Sequence, residues 1–253
     1  MIRIADLNID WQKNRQGFAE DFVVESKEPS VMKLSFSDKL SECHSVQYAD
    51  CSSERFLRGR FGDILLANED WSEAHSFCLP ESDADYALPL AALCSRFSYF
   101  DALLTHSSFI DSQGKGIIFT GDSGVGKTTQ AELWNRYKGA EIVNGDKTFI
   151  REVNGKFLAY GLPWKGSSEY CLNKSAELAG VVVLRQAKEN RIRRIEKAAE
   201  LFMPHVFFPH WDKLRMNDAL NTFDRLLKNV PVWLLECRPD EEAVEITYDA
   251  IFG

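Results

Sequence analysis

The distribution of apolar and polar residues divides the chain into a strand-rich beginning and an alternating remainder. Between residue 1 and about residue 80, short apolar runs alternate with polar positions and helical spacing is weak. This pattern predicts short strands joined by turns. The predicted strands include residues 22–25, 31–36 and 62–66.

An amphipathic helix is predicted over residues 83–104. Apolar side chains recur there at intervals of three and four residues, which places them on one face of a helix. This face would pack on a core. Its members are Tyr86, Leu88, Leu90, Leu93, Phe97, Phe100 and Leu103.

From residue 116 onward, predicted strands and helices alternate, which indicates an α/β fold. A short apolar strand at residues 116–120 precedes a loop and a helix that runs from Thr128 to about Tyr137. Further strands are predicted at residues 140–144, 181–184 and 232–237, with a hairpin around residues 153–156. Further helices are predicted at residues 195–201, 212–228 and 241–251.

The division between these regions is predicted near residue 83. No repeat, low-complexity run or flexible linker separates them, so we expect direct packing. The expected organisation is a smaller strand-rich N-terminal region, residues 1–83, packed on a domain of residues 84–253.

The charge of the chain is unevenly distributed. The formal net charge is −8, and residues 1–110 carry 10 Lys and Arg against 18 Asp and Glu, while residues 111–253 carry 20 of each class. An acidic surface repels phosphate backbones, so a role in binding nucleic acid is disfavoured.

The cysteines and the apolar runs indicate the cellular compartment in which the protein is expected. Six cysteines form no C-x-x-C pair and no cluster spaced for metal binding, which favours free thiols in a reducing cytosol. Residues 1–11 do not resemble a signal peptide, and no segment approaches the roughly 20 apolar residues of a membrane helix. We therefore expect a cytoplasmic protein without a membrane partner.

The segment GDSGVGKT, residues 121–128, matches the phosphate-binding pattern G-x-x-x-x-G-K-[ST] in full. Its glycines permit backbone conformations that point amides at phosphate oxygens. Lys127 supplies a cation for the outer phosphates, and Thr128 a hydroxyl for Mg²⁺. ATP with Mg²⁺ is the expected ligand. Predicted contacts are Gly121, Asp122, Ser123, Gly124, Val125, Gly126, Lys127, Thr128 and Thr129.

Two further residues are candidates for the same site. Asp146 follows an apolar strand and could bind Mg²⁺ or accept a proton, although Asn144-Gly-Asp is also a typical turn. His106 precedes the loop by fifteen residues, and by itself could be a capped helix end or a surface histidine. Guanine specificity is not indicated, because the sequence at Asn173 fails the N-K-x-D pattern.

The spacing of His106, the glycine-rich loop and Asp146 resembles bacterial HPr kinase/phosphorylase and ATP-dependent phosphoenolpyruvate carboxykinase. The resemblance implies a P-loop nucleotide-binding core of the carboxykinase/HPr kinase type. It also implies that His106 lies near the reacting phosphate or metal, and that Asp146 binds metal or accepts the proton. Those families have two adjacent acids where this chain has Gly145 and Asp146.

The chain is most similar to HPr-kinase-related proteins of bacterial modified-peptide pathways, which include serine kinases for lasso-peptide precursors. The shared features are a strand-rich start, the segment Gly161-Leu-Pro-Trp-Lys-Gly, and the strand Pro231-Val-Trp-Leu-Leu-Glu-Cys. This resemblance implies a peptide or protein serine as the phosphate acceptor.

Other segments offer candidates for the acceptor side of the site. Trp164, Lys165 and Ser167 could shape an acceptor pocket or belong to a surface turn. Arg185 could act as an in-chain arginine finger. The aromatic segment of residues 202–211 could be core packing or a lid over the acceptor.

Together these features predict a magnesium-dependent kinase that transfers the γ-phosphoryl group of ATP to a hydroxyl. The predicted catalytic residues are His106, Lys127, Asp146 and Arg185, with Thr128 and Asp146 at the metal. Three hypotheses remain open: a peptide or protein serine kinase, a small-molecule kinase, and a non-catalytic ATP sensor. The sensor hypothesis is motivated by the missing second acid.

Overall fold

A computed structural model describes residues 1–12, 20–37, 55–59, 63–77, 87–166 and 168–253. Its fold is mixed α/β, with two sheets and helices on the faces of the larger one. The predicted boundary at residues 83/84 lies outside the described residues. Among the helices of the described residues, none is both long and apolar enough to cross a membrane.

The described residues of the N-terminal region form a six-stranded sheet in the order β1-β2-β3-β6-β5-β4. The strands are β1 (Ile2–Ile4), β2 (Leu7–Trp11), β3 (Met32–Ser37), β4 (Arg55–Arg58), β5 (Ile64–Ala67) and β6 (Glu73–Phe77). The predicted strand at residues 22–25 is wrong, because a 3-10 turn occupies Glu20–Phe22 and only Val23 forms a bridge, to Ile2. The predicted strand at residues 31–36 is confirmed within one residue by β3, and the strand predicted at residues 62–66 is confirmed from Ile64 by β5, while residue 62 lies outside the described residues.

The predicted helix over residues 83–104 is too long. Helix α1 spans Ala87–Phe97, a 3-10 turn follows over Ser98–Phe100, and strand β7 begins at Ala102. Asp101 ends the helical run with left-handed backbone angles, φ 55° and ψ 39°. Leu103, which the periodicity placed on the helix, is buried in β7.

The second sheet has nine strands, and its main path runs β11-β10-β7-β8-β12-β15-β13. Strands β9 and β14 pair with β7, and an extra pairing of β11 with β12 closes a ring of five strands. The strands are β7 (Ala102–Ser112), β8 (Lys115–Thr120), β9 (Glu141–Asn144), β10 (Lys147–Val153), β11 (Lys156–Tyr160), β12 (Ser175–Gln186), β13 (Arg191–Arg194), β14 (Val206–Phe207) and β15 (Val232–Cys237).

Within residues 102–166 and 168–253, four helices accompany this sheet, and three agree with prediction. They are α2 (Lys127–Lys138), α3 (Ala199–Phe202), α4 (Lys213–Asn229) and α5 (Glu241–Phe252). The helix predicted at residues 195–201 is wrong in extent, because α3 has only four residues and is followed by a 3-10 turn. Asp212 caps α4, and Asp240 caps α5, by accepting backbone N–H groups.

Strands β8, β12 and β15 are parallel and buried on both faces. Alternate side chains therefore enter two different cores. Val181 and Val183 pack toward α4, whereas Val182 and Leu184 pack toward α2 and α5. This arrangement places the carboxyl ends of all three strands at one edge, next to the start of α2.

The six-stranded sheet shares a core with α1 and with part of the nine-stranded sheet. Phe149 of β10 and Tyr160 of β11 belong to the same apolar cluster as the N-terminal strands. Polar bonds reinforce this contact: buried Asp212 accepts from Trp71 Nε1 at 2.9 Å and pairs with Arg55 at 3.2 Å. Residues far apart in sequence therefore hold the two sheets together.

Candidate functional site

Residues 121–126 form a tight loop between β8 and α2. Gly121, Gly124 and Gly126 have φ angles of 140°, 77° and 111°, a region that disfavours residues with a Cβ. At Gly121 a Cβ would also lie 3.0 Å from the carbonyl oxygen of Leu184. The glycines of the sequence pattern are therefore required by the backbone path.

Lys127 begins α2, and its ammonium folds back over the loop. It is buried, and its Nζ donates to the carbonyl oxygens of Gly121 at 3.1 Å and Asp122 at 3.2 Å. Burial lowers the pKa of Lys127, while the charges of Asp146 and Asp122 oppose that shift. Ser108 of β7 donates to the Lys127 carbonyl at 2.9 Å and fixes the helix start.

Asn144 holds the turn that carries Asp146. Its buried side-chain oxygen accepts from the backbone N–H of Asp146 at 2.9 Å and of Lys147 at 3.1 Å. Its amide nitrogen donates to the carbonyl oxygens of Leu162 at 2.9 Å and Trp164 at 3.1 Å. One amide therefore ties the Asp146 turn to the segment that forms the opposite wall.

The carboxylate of Asp146 lies between the side chains of His106 and Lys147. His106 Nε2 is 3.4 Å from one carboxylate oxygen, and Lys147 Nζ pairs with the other. The hydrogen bond from His106 and the pairing with Lys147 lower the pKa of Asp146 to about 2, although burial acts in the opposite direction. Asp146 is therefore ionised at neutral pH.

The position of the second acid has no room for a side chain. A Cβ at Gly145 would overlap the side chain of Ser168. Gly166 is similarly close to Asp146, since a Cβ there would lie 2.7 Å from the Asp146 carboxyl carbon. Gly166 and Ser168 thus lie directly against the Asp146 turn, and among the described residues of this turn Asp146 supplies the one carboxylate.

A cavity of about 430 Å³ opens between the loop and the Asp146 turn. Its described lining side chains come from β7, α2, the turn and the opposite wall: His106, Lys127, Thr128, Asp146, Lys165 and Ser168. Thr128 Oγ1 lies 3.3 Å from the Gly145 carbonyl, next to the ionised carboxylate. The size of this cavity and the two lysines that line it, Lys127 and Lys165, suit a phosphate group.

The donor set of this cavity fits Mg²⁺ bound together with phosphates. Mg²⁺ is usually held by one or two carboxylates or hydroxyls plus phosphate oxygens and water, rather than by an all-protein cage. Thr128 and Asp146 supply one hydroxyl and one carboxylate. Among the described residues, no cluster of three or more His, Cys, Asp or Glu forms a separate metal cage.

The predicted acceptor residues occupy different positions. Lys165 lines the cavity beside Asp146. Trp164 is buried, and its ring centroid lies 5.9 Å from that of Trp11, so its side chain contributes to the shared core. Ser167 lies outside the described residues. The backbone of residue 164 still contributes to the site through its bond to Asn144.

Arg185 lies on a different side of the loop from Asp146. It is exposed at the end of β12 and pairs with Glu236 at 3.4 Å. Together with residues 121–125, Leu201, Pro204 and His205, it lines a second cavity of about 420 Å³. Arg185 therefore lies beside the part of the loop that directly follows β8, residues 121–125.

The aromatic segment of residues 202–211 combines core packing with a cavity wall. Phe202 is fully buried, with its ring 5.5 Å from that of Phe223. Phe207 is 42% exposed, and His205 faces the second cavity. Burial lowers the pKa of His205, which favours its neutral form.

The residues near the loop that were not identified from the sequence include Asn144, Lys147 and His205. Lys147 and Asn144 flank the predicted Asp146 within three positions, so a closer inspection of that turn would have included them. His205 had no local signal apart from its place in the aromatic segment. Only the packing of the 3-10 turn at Met203–His205 brings it to the loop.

Comparisons with known proteins give partial matches. No family model matches the chain. A curated HPr kinase/phosphorylase from Clostridium tetani (strain Massachusetts / E88) is 35% identical over 80 residues, which are 31% of this chain and 23% of that protein. The match therefore spans about a quarter of the curated relative.

A solved structure, the Hpr(Ser) kinase/phosphatase from Coxiella burnetii, aligns with a TM-score of 0.36 and 13% identity, covering 59% of this chain and 99% of that one. The sheet order and the glycine-rich loop establish the α/β P-loop architecture independently. The chain is thus an α/β P-loop protein that is similar over part of its length to HPr kinase/phosphorylase.

Proposed function

We propose that this protein is an ATP- and Mg²⁺-dependent kinase that transfers a γ-phosphoryl group to a hydroxyl, and that the acceptor is a serine of a peptide or protein. The observation that carries this proposal is the meeting of Lys127, Thr128, Asp146 and His106 around one cavity. The partial similarity to HPr kinase/phosphorylase supports kinase activity.

The residues divide the work between binding and proton transfer. Loop amides and Lys127 hold the phosphates. The Lys127 ammonium, which contacts the Gly121 and Asp122 carbonyls in this structure, exchanges those contacts for phosphate oxygens. Mg²⁺, held by Thr128 and Asp146, would neutralise charge on the phosphate oxygens when bound. Positioning and electrostatic stabilisation then supply most of the rate enhancement, as in other phosphoryl transfers.

Transfer requires that an acceptor oxygen approach the γ-phosphorus in line with the leaving oxygen. A bond forms to the acceptor, the bond to the ADP oxygen breaks, and the acceptor proton leaves. His106 and Asp146 both line the cavity and contact each other, so the proton passes to this pair. Lys165 on the opposite wall lies where it can stabilise the transferred group.

The surroundings of Asp146 favour the sensor hypothesis in two ways. Asp146 is already paired with both His106 and Lys147, and Gly145 leaves no space for the usual second acid. A protein of this kind would bind ATP with Mg²⁺ and transfer no phosphate. A cytoplasmic location, where ATP and free thiols such as that of Cys94 coexist, is part of either proposal.

The direct test is incubation with γ-labelled ATP, Mg²⁺ and a serine-containing peptide library, with an alanine-substituted library as the matched control. We expect phosphoserine, identified by mass spectrometry, only in the first library. Label on a small molecule from a metabolite extract would instead support a small-molecule kinase. ATP binding with no labelled acceptor in peptides, proteins or metabolites would support the sensor.

A further inference from the structure

Strand β13 forms an open edge of the nine-stranded sheet. At the other end of the main path, β11 pairs with both β10 and β12, so that edge is closed. Among the described strands, β13 pairs with β15 alone. An edge of this kind presents backbone N–H and C=O groups to which a further strand can bond.

The register of β13 against β15 shows which of its backbone groups are free. Ile195 N–H donates to the Val232 carbonyl at 2.8 Å, so the backbone groups of alternate residues 191, 193 and 195 face β15. The N–H and C=O groups of Ile192 and Arg194 therefore face away from β15. An added strand would find both donors and acceptors there.

The side chains of this edge are basic. Strand β13 reads Arg-Ile-Arg-Arg, and its arginines are exposed. Ile192 packs in the cluster that contains Val244 of α5, so Arg191 and Arg193 project from the opposite face. Within the part of the chain that the structure describes, no acid forms an ion pair with any of these arginines. The edge is a patch of uncompensated positive charge on a chain whose net charge is −8.

The basic face continues toward the phosphate loop. Arg191 lies opposite Glu236 of β15, and Glu236 lies opposite Arg185 of β12, with which it pairs at 3.4 Å. Side chains opposite one another on paired strands share a face of the sheet. Arg185 also lines the cavity of about 420 Å³ together with Asp122 and Ser123 of the loop. A row of arginines, with Glu236 between them, thus runs from the edge strand to the loop.

We propose that β13 binds an acidic, extended segment of the peptide or protein acceptor, which adds to the sheet as a further strand. The inference rests on the proposed function for the identity of this partner, and it adds where the acceptor docks before its serine reaches the loop. Main-chain hydrogen bonds would supply affinity, and carboxylates that face Arg191 and Arg193 would supply selectivity.

Other occupants fit this edge less well. A second copy of the chain would place arginine against arginine, and like charges on paired strands are destabilising. The phosphates of a nucleic acid would pair with the arginines, but they are acceptors and leave the outward carbonyls of Ile192 and Arg194 without donors. An acidic peptide strand matches both the charge and the alternation of donors and acceptors.

The distance from the edge to the loop sets a spacing requirement. Strands β12 and β15 lie between β13 and β8, the strand that leads into the loop. At about 4.8 Å per strand, a peptide beyond β13 lies ~19 Å from β8. An extended chain covers about 3.3 Å per residue, so the acceptor serine must be roughly six residues or more from the acidic segment.

Fluorescence anisotropy on the full chain, without ATP, tests the docking step. The probe is a fluorescein-labelled peptide of about eight residues that alternates glutamate with valine, and its matched control carries glutamine in place of glutamate. The probe should bind at least about tenfold more tightly than the control peptide. Arg193→Glu should weaken binding of the probe about fivefold or more, because it places a like charge opposite the glutamates.

Arg58→Glu is the matched control variant, because it reverses an exposed arginine on β4, at the end of the smaller sheet, and should leave binding unchanged. Arg194→Pro removes an outward N–H that Arg194→Ala keeps, so the proline variant should bind the probe about fivefold more weakly than the alanine variant. Thermal unfolding checks that each variant is folded.

Equal binding of the probe and its glutamine control, or wild-type binding by folded Arg193→Glu, would overturn the proposal. Equal binding by Arg194→Pro and Arg194→Ala would overturn strand addition, and tighter binding of an oligothymidylate than of the probe would indicate a nucleic acid instead. Probes extended by a spacer and a serine separate this inference from the proposed function. Docking without phosphate transfer would contradict the proposed function alone, whereas transfer that Arg193→Glu leaves unchanged would contradict the docking strand alone.

Discussion

The nine-stranded sheet and the six-stranded sheet differ in how their polar groups are used. In the larger sheet, parallel strands end at one edge, and Lys127, Thr128 and Asp146 line a cavity beside it. In the smaller region, Asp6 and Asp70 instead bond to Tyr160 and Arg96. One region presents polar groups to a cavity, while the other uses them in contacts within the protein.

This difference separates activity from stability. Polar side chains that line a cavity can be removed with little loss of packing, because water replaces their partners. Polar side chains buried between the sheets leave unsatisfied partners when they are removed. Substitutions in the two regions should therefore change different measurements, which gives four ways to test the comparison.

The largest effect is expected for Lys127→Ala. Removal of the ammonium that faces the phosphates should reduce ATP turnover on the order of 10³-fold, measured as labelled ADP release. The melting temperature should change little. Lys115→Ala is the control, because Lys115 is half exposed at the opposite end of β8. Retained turnover in Lys127→Ala would exclude the loop from the reaction.

A smaller loss of activity is expected for Asp146→Asn. The neutral amide keeps the shape but loses the charge that binds metal and receives a proton, so phosphate transfer should fall on the order of 10²-fold. Asp111→Asn, at the far end of β7, is the control. If Asp146→Asn transfers phosphate at the wild-type rate, the carboxylate has no part in the chemistry.

Asp212→Ala should act on stability instead. It removes the cap of α4 and leaves Trp71 Nε1 buried without its acceptor, so the free energy of unfolding should fall by about 2 to 3 kcal/mol. Urea unfolding measures this change, and the MgATP affinity of the folded protein should be unaffected. The exposed Asp224 of the same helix serves as the control, as Asp224→Ala. Equal losses in both variants would contradict a specific contact between the sheets.

Tyr160→Phe should have the smallest effect, about 1 kcal/mol, through the lost bond to Asp6 at 2.9 Å. Burial, reinforced by Asp6, raises the pKa of Tyr160 above its usual value of 10. The folded protein therefore holds this proton more tightly than the unfolded chain, so the contribution is complete below pH 10 and declines above it. The difference between wild type and Tyr160→Phe in urea should shrink from pH 8 to pH 10.5. A constant difference would mean that the hydroxyl does not couple the sheets.

The sequence was sufficient where short-range rules apply. The glycine-rich loop, α2, the hairpin around residues 153–156 and the strand at residues 232–237 follow from local spacing and turn chemistry. The hairpin of β1 and β2 was missed, because Ala5 and Asp6 form its turn with φ angles of 52° and 57° where glycine or asparagine is typical. Strand β7 was partly read as helix, because apolar residues on both faces of a buried strand can mimic helical spacing.

The sequence by itself determined that a loop with the phosphate-binding pattern lies between a strand and a helix, because its glycines, lysine and threonine fall within eight consecutive residues. Tertiary structure decided what surrounds that loop. His106 meets Asp146 only through the pairing of β7 with β10, and Arg185 reaches the loop only because β12 lies beside β8. These contacts join residues tens of positions apart, and their geometry depends on sheet order and packing, which local spacing does not encode.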